Sequence, residues 1–103
     1  MALDTLSLFD GCRILLTPGL VELGEREQAE NEALGLYATD KCDIALPVGE
    51  HGKLVLGGLI KGGFAEDKAI PVKTVQEAFD FIRSIDQEQK MVLILNDLPD
   101  NYK

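Results

Sequence analysis

The chain has 103 residues, of which 46% are hydrophobic and 27% charged, and its formal net charge is -8. Length and composition predict one soluble globular domain over residues 1–103, because the hydrophobic fraction is too high for an intrinsically disordered chain. The excess of 18 acidic over 10 basic residues argues against nucleic acid as a partner and against binding to anionic membrane surfaces.

The first predicted element is a β-hairpin. Apolar-rich runs at 5–9 and 12–17 flank Asp10-Gly11, a dipeptide that favours a two-residue type I′ turn. A competing interpretation is a short helix from Leu3 to Phe9 that Gly11 stops.

The second predicted element is a helix over residues 25–36, which are rich in Glu, Gln and Ala. Ala29, Ala33 and Leu36 recur at spacings of four and three, as on one face of an amphipathic helix. This apolar stripe is thin, so we expect the helix to lie on the outside of the fold.

The middle of the chain predicts a second hairpin. Residues 43–48 and 53–60 have strand-like composition, and the four residues between them include two glycines, which suit a hairpin loop. Residues 67–72 are expected to add a short edge strand, because Pro71 is tolerated at a sheet edge but not in a central ladder.

A helix is predicted to begin at Thr74, which forms a capping box with Glu77. Apolar residues then recur at helical spacing, so one face should pack on a sheet: Val75, Ala78, Phe79, Ile82 and Ile85. The near-continuous apolar run at 91–95 predicts a central strand that is buried on both faces.

The predicted order is β-β-α-β-β-(β)-α-β, which indicates an α+β domain with one mixed, mostly antiparallel sheet and two helices. A strictly alternating β/α order is the alternative. We set it aside because residues 43–60 show no helix between the two predicted strands.

The most unusual sequence feature is the pair of glycine dipeptides, Gly57-Gly58 and Gly62-Gly63, on either side of Lys61. Such backbone can approach an anion closely, so the segment is a candidate site for an anionic metabolite. A bulged strand followed by a turn is the structural alternative, since neither GxGxxG nor GxxxxGK[ST] is present. The candidate ligand-binding residues are Lys53, Gly57, Gly58, Lys61, Gly62, Gly63 and His51.

Acidic residues are concentrated in the first half of the chain. Residues 1–50 contain ten acids and three bases, a net of -7, whereas the remainder has a net of -1. The densest run is either a solvated helix face or a docking surface for a basic protein. Its candidate partner-binding residues are Glu25, Glu27, Glu30 and Glu32.

No catalytic, metal or cofactor site is predicted. Cys12, Cys42 and His51 lack the paired spacing of zinc ligands. Asp97 and Asp100 could form a carboxylate pair, but Pro99 between them favours a turn. With no export signal at the N-terminus, we expect two reduced thiols and a cytoplasmic location.

The leading hypothesis is therefore a non-catalytic cytoplasmic binding or regulatory module that acts through protein–protein association or self-association. A dimer is expected, paired through the apolar strand at 53–60. One alternative is a small domain that binds an anionic metabolite. Another is an acidic mimic that blocks a nucleic-acid-binding site. Catalysis is disfavoured by the scarcity of nucleophile–base combinations.

Overall fold

A computed structural model describes residues 2–20 and 24–95. This described part contains four α-helices, three β-strands and two short 3-10 helices. In chain order the elements are α1 (Ala2–Ser7), β1 (Cys12–Thr17), a 3-10 helix (Gly24–Arg26), α2 (Glu27–Ala38), β2 (Ile44–Pro47), α3 (Gly49–Lys61), a second 3-10 helix (Glu66–Lys68), α4 (Val75–Ser84) and β3 (Lys90–Ile94).

The three strands form one all-parallel sheet in the order β2-β1-β3. Ile14 on β1 is aligned with Ile44 on β2 and with Val92 on β3. Beyond β2, the segment 69–72 adds two isolated parallel bridges, Ala45 to Ala69 and Val48 to Val72. This segment therefore covers the β2 side of the sheet, and β1 is the central strand.

Helices cover both faces of the sheet and bury two separate clusters of apolar side chains. One cluster joins α1, α2 and α3 to the sheet and includes Leu3, Leu6, Leu15, Leu34, Val55 and Leu59. The other joins α4 to the opposite face and includes Ile14, Leu16, Leu46, Val48, Ala78 and Ile82. Parallel strands need such crossover connections, and the helices supply them.

The predicted mixed, mostly antiparallel sheet is wrong. The N-terminal hairpin is replaced by α1, as in the competing interpretation, and residues 53–60 belong to α3 instead of a strand. From β1 to α3 the strands and helices alternate, as in the order that we had set aside, but α3 and α4 are separated only by the bridging segment 69–72 and not by a regular strand. The dimer contact expected on a strand at 53–60 loses its structural basis, because that segment is a helix packed on α2.

The remaining strands are confirmed in part. Strands occur where residues 12–17, 43–48 and 91–95 predicted them. The last one, however, is not central: β3 lies at the edge of the sheet, and Met91 and Ile94 are exposed. Residues 67–72 form bridges without a regular strand.

Both predicted helices are present. Thr74 caps α4 as expected, because its Oγ1 accepts a hydrogen bond from the Glu77 backbone N–H at 3.1 Å. The Glu77 carboxylate accepts from the N–H of Lys73, one residue earlier than the capping box predicts. The apolar stripe predicted for α2 is wrong: Ala29, Ala33 and Leu36 are exposed, and the buried positions are Asn31, Leu34, Gly35 and Ala38.

Asp97 and Asp100, considered above as a carboxylate pair, lie outside the described residues.

Within the described ranges, none of the helices has the length and apolar character that a bilayer span requires.

Candidate functional site

The candidate site lies at the edge of the sheet where the parallel strands end. The carboxyl ends of β1, β2 and β3 share this edge, and ligands of open parallel sheets bind outside the carboxyl ends of the strands. Here β1 runs into the loop 18–20, and β2 runs directly into α3.

The loop after β1 is held by buried polar side chains. Asn31 of α2 is fully buried; its Oδ1 accepts from the Leu20 N–H at 2.6 Å and its Nδ2 donates to the Leu20 carbonyl at 3.0 Å. Asn31 Nδ2 also donates to the Glu27 carbonyl at 2.8 Å. The buried Thr17 hydroxyl accepts from the Gly19 N–H at 3.0 Å. These bonds fix the loop against the first turns of α2.

Gly19 is required where this loop meets α3. Its φ of 88° lies in the left-handed region, which favours glycine. A Cβ atom at this position would come within 2.7 Å of the His51 carbonyl oxygen. The loop backbone therefore contacts the first turn of α3 directly.

His51 and Glu27 link the starts of α3 and α2. His51 Nε2 lies 2.9 Å from Glu27 Oε2, and the two side chains are 40% and 35% exposed. This pair brings one candidate ligand residue and one candidate partner residue together. In the sequence these two residues belong to different candidate sites.

A groove of about 430 Å³ opens on the other side of the α3 start. Its lining comes from the first turn of α3 and from the segment that bridges to β2: Gly49, Glu50, Lys53, Pro71, Val72 and Lys73. The Gly49 N–H donates to the Val72 carbonyl at 3.0 Å, which ties the two walls together.

Two lysines give the groove its positive charge. Lys53 Nζ lies 3.3 Å from Glu50 Oε2 in an exposed pair. Lys73 Nζ forms no ion pair among the described residues, although the Glu77 carboxylate accepts a hydrogen bond from the Lys73 backbone N–H at 3.1 Å. The positive end of the α3 dipole adds to this charge, and Glu50 opposes it. Lys73 is therefore the cation best placed to receive an anion in the groove.

The predicted glycine-rich ligand site is not assembled as expected. Gly57 and Gly58 lie in the middle of α3, and Gly62 and Gly63 end that helix, with φ of 88° at Gly63. Lys61 Nζ pairs with Glu32 at 3.2 Å. These residues do not form the open loop that an anion nest needs. Of the predicted ligand residues, only Lys53 lines the groove.

Lys73 is a groove residue that the sequence pattern does not mark as a candidate. It follows the predicted edge strand at 67–72 directly. Had that strand been recognised as parallel to β2, the carboxyl ends of both would have placed Lys73 beside the start of α3.

The acidic candidate surface is partly neutralised within the chain. Glu27 pairs with His51, Glu30 lies 3.8 Å from Arg26, and Glu32 pairs with Lys61. Glu25 lies in the 3-10 helix and is exposed. Docking of a basic protein on these residues stays a prediction.

Other ionisable groups lie at the opposite, amino edge of the sheet. Arg13 Nη2 lies 2.9 Å from Asp43 Oδ1, and the hydrogen bonds from Arg13 lower the pKa of Asp43. Burial raises the pKa of Cys42 to about 12.

Among residues 2–20 and 24–95, no group of three or more His, Cys, Asp or Glu side chains is arranged to hold a metal ion.

No protein-family model and no curated protein sequence matches the chain. Solved structures share its fold. Two crystal structures of MurF from Acinetobacter baumannii superpose with TM-scores of 0.67, at 20% and 21% sequence identity. A structure of UDP-N-acetylmuramoylalanyl-D-glutamyl-2,6-diaminopimelate--D-alanyl-D-alanyl ligase from the same organism gives a TM-score of 0.61 at 21% identity.

These matches cover 93% of this chain but only 20% or 21% of the other chains. The chain therefore spans about one fifth of the length of the proteins that it resembles. At these identities the likeness shows the fold and nothing beyond it.

Proposed function

We propose that this chain is a ligand-binding domain that holds a phosphate-bearing compound in the groove at the carboxyl edge of its sheet. The observation that carries the proposal is that Lys53 and Lys73 both line that groove, beside the start of α3. The domain itself supplies binding and no catalysis; any reaction takes place on another domain or chain.

Phosphate is the anion that best fits this groove. Its oxygens accept charge-assisted hydrogen bonds from lysine, each contributing about 1.5–3 kcal/mol. A chain with a net charge of -8 repels anions at long range, so a bound anion requires a local cation without an acidic partner. Among the described residues the Lys73 ammonium forms no ion pair, since the Glu77 carboxylate bonds to the Lys73 backbone N–H instead.

The name of one similar structure motivates the choice of a phosphate-bearing ligand. One of the matching structures is, by its name, a ligase for a UDP-linked compound, and a UDP group carries a diphosphate. The chain matches about one fifth of that protein, so we propose that it acts as one domain within a ligase-type assembly. We also propose a cytoplasmic location, which is supported by the free thiols of Cys12 and Cys42.

The test is titration of the full chain with UDP and with inorganic diphosphate, followed by calorimetry or by NMR shifts. We expect both probes to bind, with the largest shifts at Gly49, Lys53 and Lys73. Lys73→Gln should weaken binding about tenfold, which corresponds to about 1.4 kcal/mol.

The matched control is Lys68→Gln. Lys68 is also exposed and has no ion pair in the described part of the chain, but it does not line the groove. Both variants make the net charge more negative by one. Equal weakening by the two variants would indicate non-specific electrostatics, and failure of both probes to bind at millimolar concentration would overturn the proposal.

A further inference from the structure

Glu50 is an acidic residue inside the groove that we propose as an anion site. Its side chain is 85% exposed and lines the groove together with Lys53 and Lys73. Its Oε2 lies 3.3 Å from Lys53 Nζ, so an anion that binds Lys53 comes close to this carboxylate. A site for an anion alone is weakened by a carboxylate at this position, because like charges repel each other.

The charges that line the groove form a mixed pattern. Lys53 and Lys73 supply the positive charges and Glu50 supplies the negative one. Electrostatic complementarity favours a ligand whose negative groups face the lysines and whose positive group faces Glu50. A phosphate compound that carries a bound metal cation has this pattern.

Magnesium is the cation that suits this arrangement. It prefers oxygen ligands, and proteins bind it through one or two carboxylates, the phosphate oxygens of a substrate and several water molecules. Within the described ranges, no three acidic, His or Cys side chains converge on a metal position. The groove therefore lacks a complete metal site of its own, and the cation has to enter it together with the phosphate.

We propose, resting on the function proposed above, that the groove takes its ligand as the magnesium complex of a diphosphate, with Glu50 as the protein's ligand to the cation. Lys53 and Lys73 bind the phosphate oxygens that the cation leaves free. Glu50 exchanges its contact with Lys53 for the cation, so that each charge in the groove has a partner of opposite sign.

The distances at Glu50 suit a bridging cation. A phosphate oxygen that accepts a hydrogen bond from Lys53 lies about 2.7–2.9 Å from Nζ, and Nζ is 3.3 Å from Glu50 Oε2. The two oxygens are thus at most about 6 Å apart. Octahedral Mg²⁺ holds its ligands at about 2.0–2.1 Å, which separates any two of them by about 3–4 Å. Both oxygens can therefore bind one cation without movement of the α3 backbone.

The test is titration of the full chain with inorganic diphosphate, once in excess Mg²⁺ and once in EDTA. We expect Mg²⁺ to lower the Kd of diphosphate at least about tenfold. Part of this gain comes from the smaller charge of the complex, because a chain with a net charge of -8 repels free diphosphate more strongly. Variants separate this general effect from the contact with Glu50.

Glu50→Gln should lose most of the gain from Mg²⁺. The matched control is Glu66→Gln, since Glu66 is exposed and has no ion pair in the described part of the chain, but does not line the groove. Both variants make the net charge less negative by one. We expect the gain to fall below about threefold in Glu50→Gln and to stay near tenfold in Glu66→Gln. Equal gains in the two variants would overturn the proposal.

Manganese gives a second readout that needs no variant, because Mn²⁺ takes the same oxygen ligands as Mg²⁺ and broadens the NMR signals of nearby nuclei. With diphosphate present, a small amount of Mn²⁺ should broaden the amide signals of Glu50 and Lys53 more than that of Glu66. Without diphosphate it should broaden the three signals equally. Equal broadening in the presence of diphosphate would contradict a cation held at Glu50.

Failure of this proposal differs from failure of the function proposed above. Diphosphate that binds with the same Kd in EDTA and in Mg²⁺ would retain the phosphate site and overturn the role of the cation. Diphosphate that binds in neither condition at millimolar concentration would overturn both.

Discussion

A methyl group on Gly58 of α3 would overlap the backbone carbonyl oxygen of Glu32 on α2. The reciprocal contact occurs at Gly35, where a Cβ would overlap the Val55 carbonyl oxygen. The two helices therefore pack backbone against backbone, and glycine at both positions permits this approach. Because α2 and α3 begin at the candidate site, their spacing also positions the His51–Glu27 pair.

Gly58→Ala should destabilise the domain, because overpacking of a close contact costs about 1–3 kcal/mol. Gly57→Ala is a matched control one residue away: a Cβ there meets nothing within 4 Å, and alanine favours helix over glycine by up to about 1 kcal/mol. Urea unfolding of both variants checks this. If Gly58→Ala were as stable as Gly57→Ala, the close helix contact would be contradicted.

The glycines within α3 explain why this helix was not predicted. Its composition suits a strand, and four glycines lower helix propensity over a single 13-residue helix. Of these four, Gly58 lies against α2 and Gly52 lies against Pro47, and such tertiary contacts cannot be read from local propensity. Val55 and Leu59 do recur at helical spacing, but Leu54, Leu56 and Ile60 surround them and hide the period.

Elements with strong local signatures were predictable. The Thr74 cap fixed the start of α4, and the apolar runs marked β1 and β3. The parallel direction of β1 and β2 follows from α2, which was predicted between them, whereas that of β2 and the segment 69–72 depends on the unpredicted crossover helix α3. The groove was missed for the same reason: Lys53 and Lys73 are brought together only when residues 69–72 run parallel to β2.

Asn31→Ala should destabilise the domain by about 1–3 kcal/mol, because it leaves the N–H and C=O of half-buried Leu20 without their partner. The loop after β1 should lose its protection from hydrogen exchange while β1 keeps its own. Asn31→Asp is the more informative comparison, since a carboxylate retains the acceptor for the Leu20 N–H but cannot donate to its carbonyl. Unchanged exchange at Leu20 in both variants would contradict the role given to Asn31.

The two thiols should differ in reactivity. Alkylation requires the thiolate, and burial raises the pKa of Cys42 to about 12. At pH 8 we expect iodoacetamide to modify half-buried Cys12 before Cys42, although burial raises the pKa of Cys12 as well. Mass spectrometry of native protein over time measures the order. Unfolded, non-reduced protein should take up two alkyl groups; uptake of none would indicate a disulfide.

Asp43 should make stability depend on pH in the acidic range. Its carboxylate accepts from the Arg13 backbone N–H, Nε and Nη2, at 2.9, 3.1 and 2.9 Å, and these bonds lower its pKa in the folded state. Because the pKa of Asp43 in the folded state lies below its unfolded-state value of about 3.9, the ionised carboxylate stabilises the fold when the pH is above that value. That stabilisation is lost as the pH falls through the folded pKa.

Asp43→Asn should therefore cost about 1 kcal/mol at pH 7, a modest value because the Asp43 side chain is 42% exposed. The difference between the unsubstituted chain and Asp43→Asn should shrink as the pH falls below about 4, because protonation removes the charge that the variant already lacks. Urea unfolding at a series of pH values measures it. Asp67→Asn is the control, since Asp67 is exposed and has no ion pair among the described residues. A difference for Asp43→Asn that stays constant down to pH 2 would show that Arg13 does not stabilise the ionised carboxylate.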